Sequence, residues 1–527
     1  NLSRSGTPAD PQFAFYLDPS CGGSPVTSVT IPARQSTANF YFRGERVQTA
    51  TLTAAATGLG NVSQNYTIAA GALAKLGFSV DTPAQTLLIG ACSAVRKVES
   101  QDTFGNPQAV GSDIAVTLNG SAVTEFFSDA NCTNPIGGVT IATGTSSANF
   151  YFKPTTGTLN ATAPLTLTAA ASGLPSGTQV ENTLPTVRTG TCTMADASIA
   201  CAITPALLDI DQTLLLFQAT STNDGSDRAN VRCRLSSLSQ VTCERHNGGG
   251  SDVSIRWSVA EFPAGMGVQH QAVSCSNNTT PVPLSTLAMD ETFLLLSSYK
   301  DGTSMGSNVP RLAVLTTQTE AEIRKTGGCG GNDHNHLQAV TYAGASVQRG
   351  LPTLNNGTLS TQVTLPNPVV PDRSILLYSY TSDGSGTNIC NRVLRGELTN
   401  GGSQVSFSRG DGDTANCVSS QFFISWEVVQ FPVGTVVQQV TQTLEAGAEG
   451  LSASTQISPV DLSRTLVIGG GQWASGQLHG EGRHSSSELI SEMRAQAWLT
   501  DSTTLNFSRV TSNNTAKFTA YVIQFKP

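Results

Sequence analysis

At 527 residues the chain is too long for a single hydrophobic core, and an apolar share of 39% supplies several. Charged residues reach only 13%, the formal net charge is −8, and no basic block occurs, which excludes a phosphate-neutralising nucleic-acid surface. No apolar run approaches the roughly 18 residues of a membrane span, and no signal-peptide pattern opens the chain.

Thr, Ser, Gly and Asn fill the space left by missing charges. β-Branched Thr suits a pleated strand, while Gly and Asn tolerate turn geometry, so the composition predicts short strands joined by many turns. Eleven cysteines without a Cys-x-x-Cys pair predict disulfides and an oxidising compartment rather than a zinc or thioredoxin-type site.

In chain order, two copies of one pattern occupy residues 1–187. Phe15-Tyr16-Leu17-Asp18 to Cys21, Ser36 to Phe42 and Thr51 to Leu59 recur as Phe126-Phe127-Ser128-Asp129 to Cys132, Ser146 to Phe152 and Thr166 to Leu174. The offset, roughly 110 residues, is that of one immunoglobulin-like sandwich. The second copy has a front half that the first lacks, running from Leu87 to Cys92, through Asp102-Thr103-Phe104-Gly105-Asn106-Pro107, to Leu118. The expected division is 1–77 for the C-terminal part of one Ig-like domain and 78–187 for a whole one.

The Asp-x-x-Gly-Asn-Pro turn and the closing Thr-Leu-Thr-Ala-x-Ala strand resemble bacterial Ig-like repeats of the invasin and intimin type. The resemblance covers about a third of the chain. It implies seven-strand sandwiches that act as spacers on a bacterial cell surface, and it implies no active site.

Cysteine spacing offers the couples Cys92–Cys132, Cys192–Cys201, Cys233–Cys243, Cys275–Cys329 and Cys390–Cys417. Cys21 is left over. Either its partner precedes Asn1, as do export and anchoring signals, or Cys21 is simply free. A bridge closing a loop of about 40 residues stabilises its domain by roughly 4 kcal/mol in the chain-entropy model.

From about residue 206 a shorter unit occurs four times, with expected bounds 188–285, 286–368, 369–457 and 458–527. Each has an apolar run: Leu214 to Phe217, Leu294 to Leu296, Ile375 to Tyr378 and Leu466 to Ile468. Asp-Gly turns follow at Asp224, Asp301 and Asp383. A later strand ends in a basic residue, at Arg245, Arg324, Arg409 and Arg509. The closing segments are Trp257 to Phe262, Ala339 to Tyr342, Trp426 to Phe431 and Tyr521 to Phe525. Period-two alternation predicts half-buried strands throughout. The fold class expected is all-β, with tandem Ig-like sandwiches followed by four shorter β-rich units.

Chemistry is sparse. Gly302-Thr303-Ser304-Met305-Gly306 matches a nucleophile-elbow pattern but sits in a hairpin turn and precedes Pro310, so a loop is the better reading. Asp333-His334-Asn335-His336 offers two imidazoles on one strand face without a third ligand, and reads as a surface strand. His246, His270, His479 and His484 stand alone and read as solvated. The Asp-Gly turns lack the spaced carboxylates of a calcium loop. Trp257 and Trp426 read as core. Trp473, in the Gly-rich run Gly470 to Gly476, is the one candidate for ligand contact. No catalytic residue, metal site or cofactor is expected.

These readings predict a non-enzymatic extracellular bacterial surface protein, with an Ig-like stalk and a β-rich adhesive tip. Its partners would be surface glycans or other copies of itself, with no nucleic acid and no transmembrane segment. A lectin-like glycan-binding module and a subunit of an extracellular filament or sheath are the alternatives.

Overall fold

The computed structural model describes the chain except residues 8, 122–123, 156–161, 222–229, 247–251, 263–264, 276, 301–309, 327–332, 384–388, 411–416, 419, 472–473, 483–489 and 527, and the side chain of Lys300. The chain is all-β: its named strands pair antiparallel, with short 3-10 turns between some of them. Backbone contacts divide it into two compact units. One comprises Asn1–Leu87, Cys92–Thr155 and Pro164–Asn182, and the other Leu88–Ala91, Thr156–Ala163 and Thr183–Pro527.

The first unit contains one sandwich of two five-stranded sheets. Pro135–Ile136, Thr124–Phe127, Ser147–Pro154, Arg96–Gln101 and Lys75–Phe78 form one, in that order. Gly138–Ile141, Ile114–Gly120, Ala163–Ala171, Leu174–Leu184 and Thr86–Leu88 form the other. Alternation sends Phe150, Phe152, Val116, Leu118, Leu165 and Leu167 into one core, each nearly or fully buried. The earlier copy is a smaller sandwich of Leu2–Ser5, Gln48–Ala54 and Val62–Ile68 against Ala14–Tyr16 and Tyr41–Arg43. Its core is Leu2, Phe15, Ala50 and Leu52.

The turn from Asp102 to Pro107 binds the two copies. Asp102 Oδ1 accepts from the backbone N–H of Phe104 and Asn106, and Gly105 takes a φ of 83° that favours glycine. Asn106 Nδ2 donates to Glu45 O, and its Oδ1 accepts from Val47 N–H. Asp102 Oδ2 accepts from Gly71 N–H. Burial pulls the Asp102 pKa up, but hydrogen bonds from the Asn106 side chain and from the backbone of Gly71, Asn106 and Phe104 together lower it.

The second unit repeats one module four times, with six named strands in each of the first two copies and seven in each of the last two. In the first module Val187–Met194, Val253–Glu261 and Thr213–Ser221 make one sheet, while Ser198–Ala202, Gln240–Glu244 and Arg232–Ser237 make the facing one. The second module starts at Met266–Cys275, which pairs with Asp333–Tyr342 and so joins the strands that follow it. The third starts at Ser346–Gly350 and the fourth at Val436–Leu444, by the same pairing. The segments that close one sequence repeat therefore lead through a tight turn into the first strand of the next module. Gly265, Gly344 and Gly434 stand in these turns with φ of 79°, 77° and 103°.

Trp257 lies across Gly190 and Trp426 across Gly350, where any Cβ would meet the indole at 2.3 Å and 2.8 Å. Both tryptophans are buried. The strand-ending basic residues are buried too. Arg409 donates to Thr358 O, Asn355 O and Ser420 O, and Arg509 donates to Gly450 O, Leu444 O and Glu492 O. Arg245 does the same at Ala195 O and Asp196 O. In the second module this place is taken by Lys325, which is buried against Asp333, and not by Arg324. The register explains the difference: Ile323 points into the core, so Arg324 points outward to Glu322 and Lys325 inward.

The four modules close into a ring. Gln218 accepts Ala497 N–H and its carbonyl accepts from Gln496, and Arg494 donates to Asn230, so the last module packs on the first. On the inner side, Phe262, Tyr342, Phe431 and Phe525 occupy equivalent positions after the closing strands. Each meets the next nearly at right angles, at centroid distances of 5.4, 5.6, 6.0 and 4.7 Å, the last returning to Phe262. One hydrophobic core runs through all four modules, from Val187 to Phe525.

Candidate functional site

The modules meet at four seams, and one differs from the rest. At each seam two residues, one on a module's first strand and one facing it on the last strand, point at the neighbouring module. The pairs are His270 with Gln338, Arg349 with Glu427, Gln439 with Tyr521, and Thr189 with Ser258.

In three seams these side chains are long and reach the neighbour's backbone. Gln338 accepts from Leu215 N–H and donates to Leu215 O, both at 2.8 Å. His270 Nε2 lies 3.2 Å from Ile210 O and 3.1 Å from Thr213 O. Glu427 accepts from Leu294 N–H at 2.6 Å, and Arg349 donates to Met289 O and Thr292 O at 2.9 and 2.5 Å. Tyr521 Oη accepts from Leu398 N–H, and Gln439 donates to Leu398 O. Strand edges inside the ring are thereby satisfied by neighbouring side chains, as buried backbone groups require.

Burial dominates the ionisation of these groups. It raises the Glu427 pKa despite the opposing Arg349 charge, and it lowers that of His270. His336, stacked on His270 at 5.5 Å, is held down at about 3 by burial first, then by the charges of His270, Arg232 and Arg234.

In the fourth seam the facing pair is Thr189 and Ser258, whose side chains are shorter. The side they face carries Leu462, Thr465 and Val467, which match Ile210, Thr213 and Leu215 of the first module in position. A cleft of about 50 Å³ remains, lined also by Arg256, Trp498 and Ala497. The guanidinium of Arg256 lies 4.2 Å from the centre of the Trp498 ring. Its Nε is buried without a hydrogen-bond partner, and burial lowers its pKa. The cleft thus sets a partly buried cation over an indole ring beside Thr189 and Ser258.

Several residues singled out from sequence sit elsewhere than expected. Asp333, Asn335 and His336 are buried rather than on a surface strand: the first two face their own module, where Asn335 donates to Val273 O, and His336 stacks on His270 on the opposite face. Asp333 pairs with Arg311 and Lys325, and His334 stacks on Tyr299. His270 and His479 are not solvated: His270 bridges two carbonyls, and His479 is buried with Nδ1 3.2 Å from Tyr380 Oη. Trp473, Cys329, His484 and residues 302–306 lie outside the described residues. Among the described residues no group of three or more His, Cys, Asp or Glu is placed to hold a metal ion. None of the described helices is long and apolar enough to cross a membrane.

Disulfides join Cys92 to Cys132, Cys192 to Cys201, Cys233 to Cys243 and Cys390 to Cys417, and Cys21 carries a free thiol. Four such bridges fit an oxidising compartment. Cys21 and Cys132 hold the same unusual backbone φ of 51°, as equivalent positions of the two copies would.

No family model matches the chain, and no curated protein does. Among solved structures it is similar to Escherichia coli alpha-2-macroglobulin activated by porcine elastase, at 11% identity and a TM-score of 0.16, covering 87% of this chain and 54% of that one. It is also similar to a DSCAM isoform with eight N-terminal Ig domains, at 11% identity and a TM-score of 0.12, covering 78% and 62%. The human desmocollin-1 ectodomain matches at 8% identity and a TM-score of 0.13, covering 75% and 81%. The chain spans about half the length of the macroglobulin it matches.

Proposed function

We propose that this chain is a non-enzymatic, extracellular surface protein whose four-module ring is an adhesive tip and whose residues 1–187 are an Ig-like spacer of the invasin and intimin type. The observation that carries the reading is the seam cleft. Three of four seams are sealed by long polar side chains, and the fourth sets a partly buried arginine over an indole ring beside Thr189 and Ser258. The disulfides support export to an oxidising compartment. A buried aromatic ring and cross-seam hydrogen bonds support a rigid platform, which suits binding better than a reaction that needs a moving lid.

The test is binding of the full labelled chain to intact bacterial and host cells over a concentration series. Saturable binding that unlabelled chain displaces is expected. Linear, non-displaceable uptake on every surface, together with ordered fibres in electron micrographs, would replace adhesion by the filament reading.

A further inference from the structure

We propose that the first Ig-like copy is an acceptor for an extended segment of a separate polypeptide, which adds strands to its two open edges and joins its own cysteine to Cys21. The acceptor lies in the first unit and does not depend on what the four modules bind.

The second copy shows the same site filled. There residues 86–101 serve both sheets: Thr86–Leu88 lies on the outer edge of Leu174–Leu184, and Arg96–Gln101 pairs with residues 147–150. Between these strands Ser93 donates its N–H to Phe152 O and accepts from Phe152 N–H at Oγ, and Cys92 is bridged to Cys132. In the first copy the receiving half of each contact is present. Val62–Ile68 corresponds to Leu174–Leu184, and among the described residues no strand pairs with its outer edge. Residues 37–40 correspond to 147–150 but lie outside any strand. Phe42 stands at the place of Phe152, and Cys21 at that of Cys132.

The loop that holds the thiol is already formed. Asp18 accepts from the N–H groups of Ser20, Gly22 and Gly23, as Asp129 accepts from those of Asn131, Thr133 and Asn134. Cys21 is thereby held at the backbone φ of the bridged Cys132 while its own thiol is free. The core is open at the same side. Phe150 and Phe152 are fully buried, whereas their counterparts Phe40 and Phe42 are half-buried, and Val62 is 70% exposed. Val62–Ile68 contains no charge and no proline, and its register with Gln48–Ala54 is unbroken by a bulge. Those are the devices by which free edges avoid pairing, and an edge without them accepts an added strand.

The occupant follows from the filled copy: a cysteine six residues before an inward apolar side chain, as Cys92 stands before the buried Val98. A second copy of this chain, pairing Val62–Ile68 with itself, would cover that edge but bring nothing to residues 37–40. The covalent step is an exchange. The Cys21 thiol gives its proton to solvent, its thiolate attacks a mixed disulfide carried by the arriving cysteine, and the small-molecule thiolate leaves.

The experiment adds a synthetic peptide of residues 83–101, its cysteine carried as a thiopyridyl disulfide, to the full chain. Cys132 is already bridged, so coupling reports the first copy. Coupling at Cys21 should be about 10-fold or more faster than with a scrambled peptide, because binding precedes exchange. Amide exchange in Val62–Ile68 should slow at the same time. Cys21→Ser should abolish coupling and keep that protection. Asn182, the counterpart of Thr67, donates its N–H to Gln85 O. Thr67→Pro removes this edge donor, and should lower coupling to the scrambled rate with an unchanged thermal midpoint. Equal rates for the two peptides, or full coupling in Thr67→Pro, overturns the proposal. Protection of Val62–Ile68 that rises with protein concentration alone, together with a dimer in sedimentation, would make a second copy the occupant and overturn it too.

Discussion

Phe262 and Phe525 meet edge to face, with ring centroids 4.7 Å apart and planes at 90°, although one closes the first module and the other the last. Their contact completes the circuit that Tyr342 and Phe431 carry through the two middle modules. A closed circuit makes the four modules one cooperative body, since loosening any seam exposes part of a shared core. Removing either ring should cost about 3–5 kcal/mol, as for other buried phenylalanines. In urea unfolding, Phe262→Ala and Phe525→Ala should also show a coupling of about 0.5–1.5 kcal/mol in a double-mutant cycle. Strict additivity of the two losses would show that the ring is open in solution.

The buried basic residue of the second module gives a paired test. Lys325→Ala leaves Asp333 short of a partner and should destabilise the chain by at least about 2 kcal/mol. Arg324→Ala removes an outward residue that pairs with Glu322, and should change stability by less than about 0.5 kcal/mol. Urea midpoints of the two variants separate them, and the opposite ranking would restore Arg324 as the equivalent of Arg409.

Acid should loosen the seam between the first two modules. A histidine whose folded pKa lies below its ordinary value contributes stability that is complete above pH 6.5. That stability is lost as pH falls toward the folded value, about 3 for His336. His270, Arg232 and Arg234 are the charged or titratable neighbours that oppose its protonation. Unfolding free energies of the wild type and His336→Gln, measured from pH 7 to pH 4, should converge below pH 6.5 by at most about 1.4 kcal/mol per pH unit. A constant difference across that window would mean that His336 does not titrate against folding.

The turn from Asp102 to Pro107 fixes the two Ig-like copies to each other. Asn106→Ala removes the acceptor for Val47 N–H and the donor to Glu45 O. Amide exchange at Val47 should then speed up by about 5- to 100-fold, corresponding to roughly 1–3 kcal/mol of lost local protection. Exchange within Ser147–Pro154 should not change. Equal acceleration at both places would make Asn106 a general stabiliser of the sandwich rather than a tie between copies.

The sequence made strands and repeats legible because both rest on short-range signals. Strand context placed Trp257 and Trp426 in the core, and self-similarity counted the four modules. Alternation is silent about what faces the other side of a sheet. For that reason His336 and His270 read as outward residues although a neighbouring module covers them, and Asp333 read as a surface residue although its own module pairs it. It also cannot tell a strand that ends one module from a strand that begins the next, as with Met266–Cys275. The cleft was hidden for a related reason: Thr189 and Ser258 matter by being small. The available signal was comparison at one repeat position, where Gln338, Glu427 and Tyr521 are long and Ser258 is not. Reading it needed the strand register.

The most direct test of the central claim is binding of the full labelled wild-type chain and its Ser258→Gln variant to intact cells, with and without excess unlabelled chain. The account predicts saturable wild-type binding that unlabelled chain displaces and that the variant lacks, with both proteins equally folded. Cell binding that is identical in wild type and variant, or that unlabelled chain does not displace, would contradict it and would move any adhesive surface away from the fourth seam.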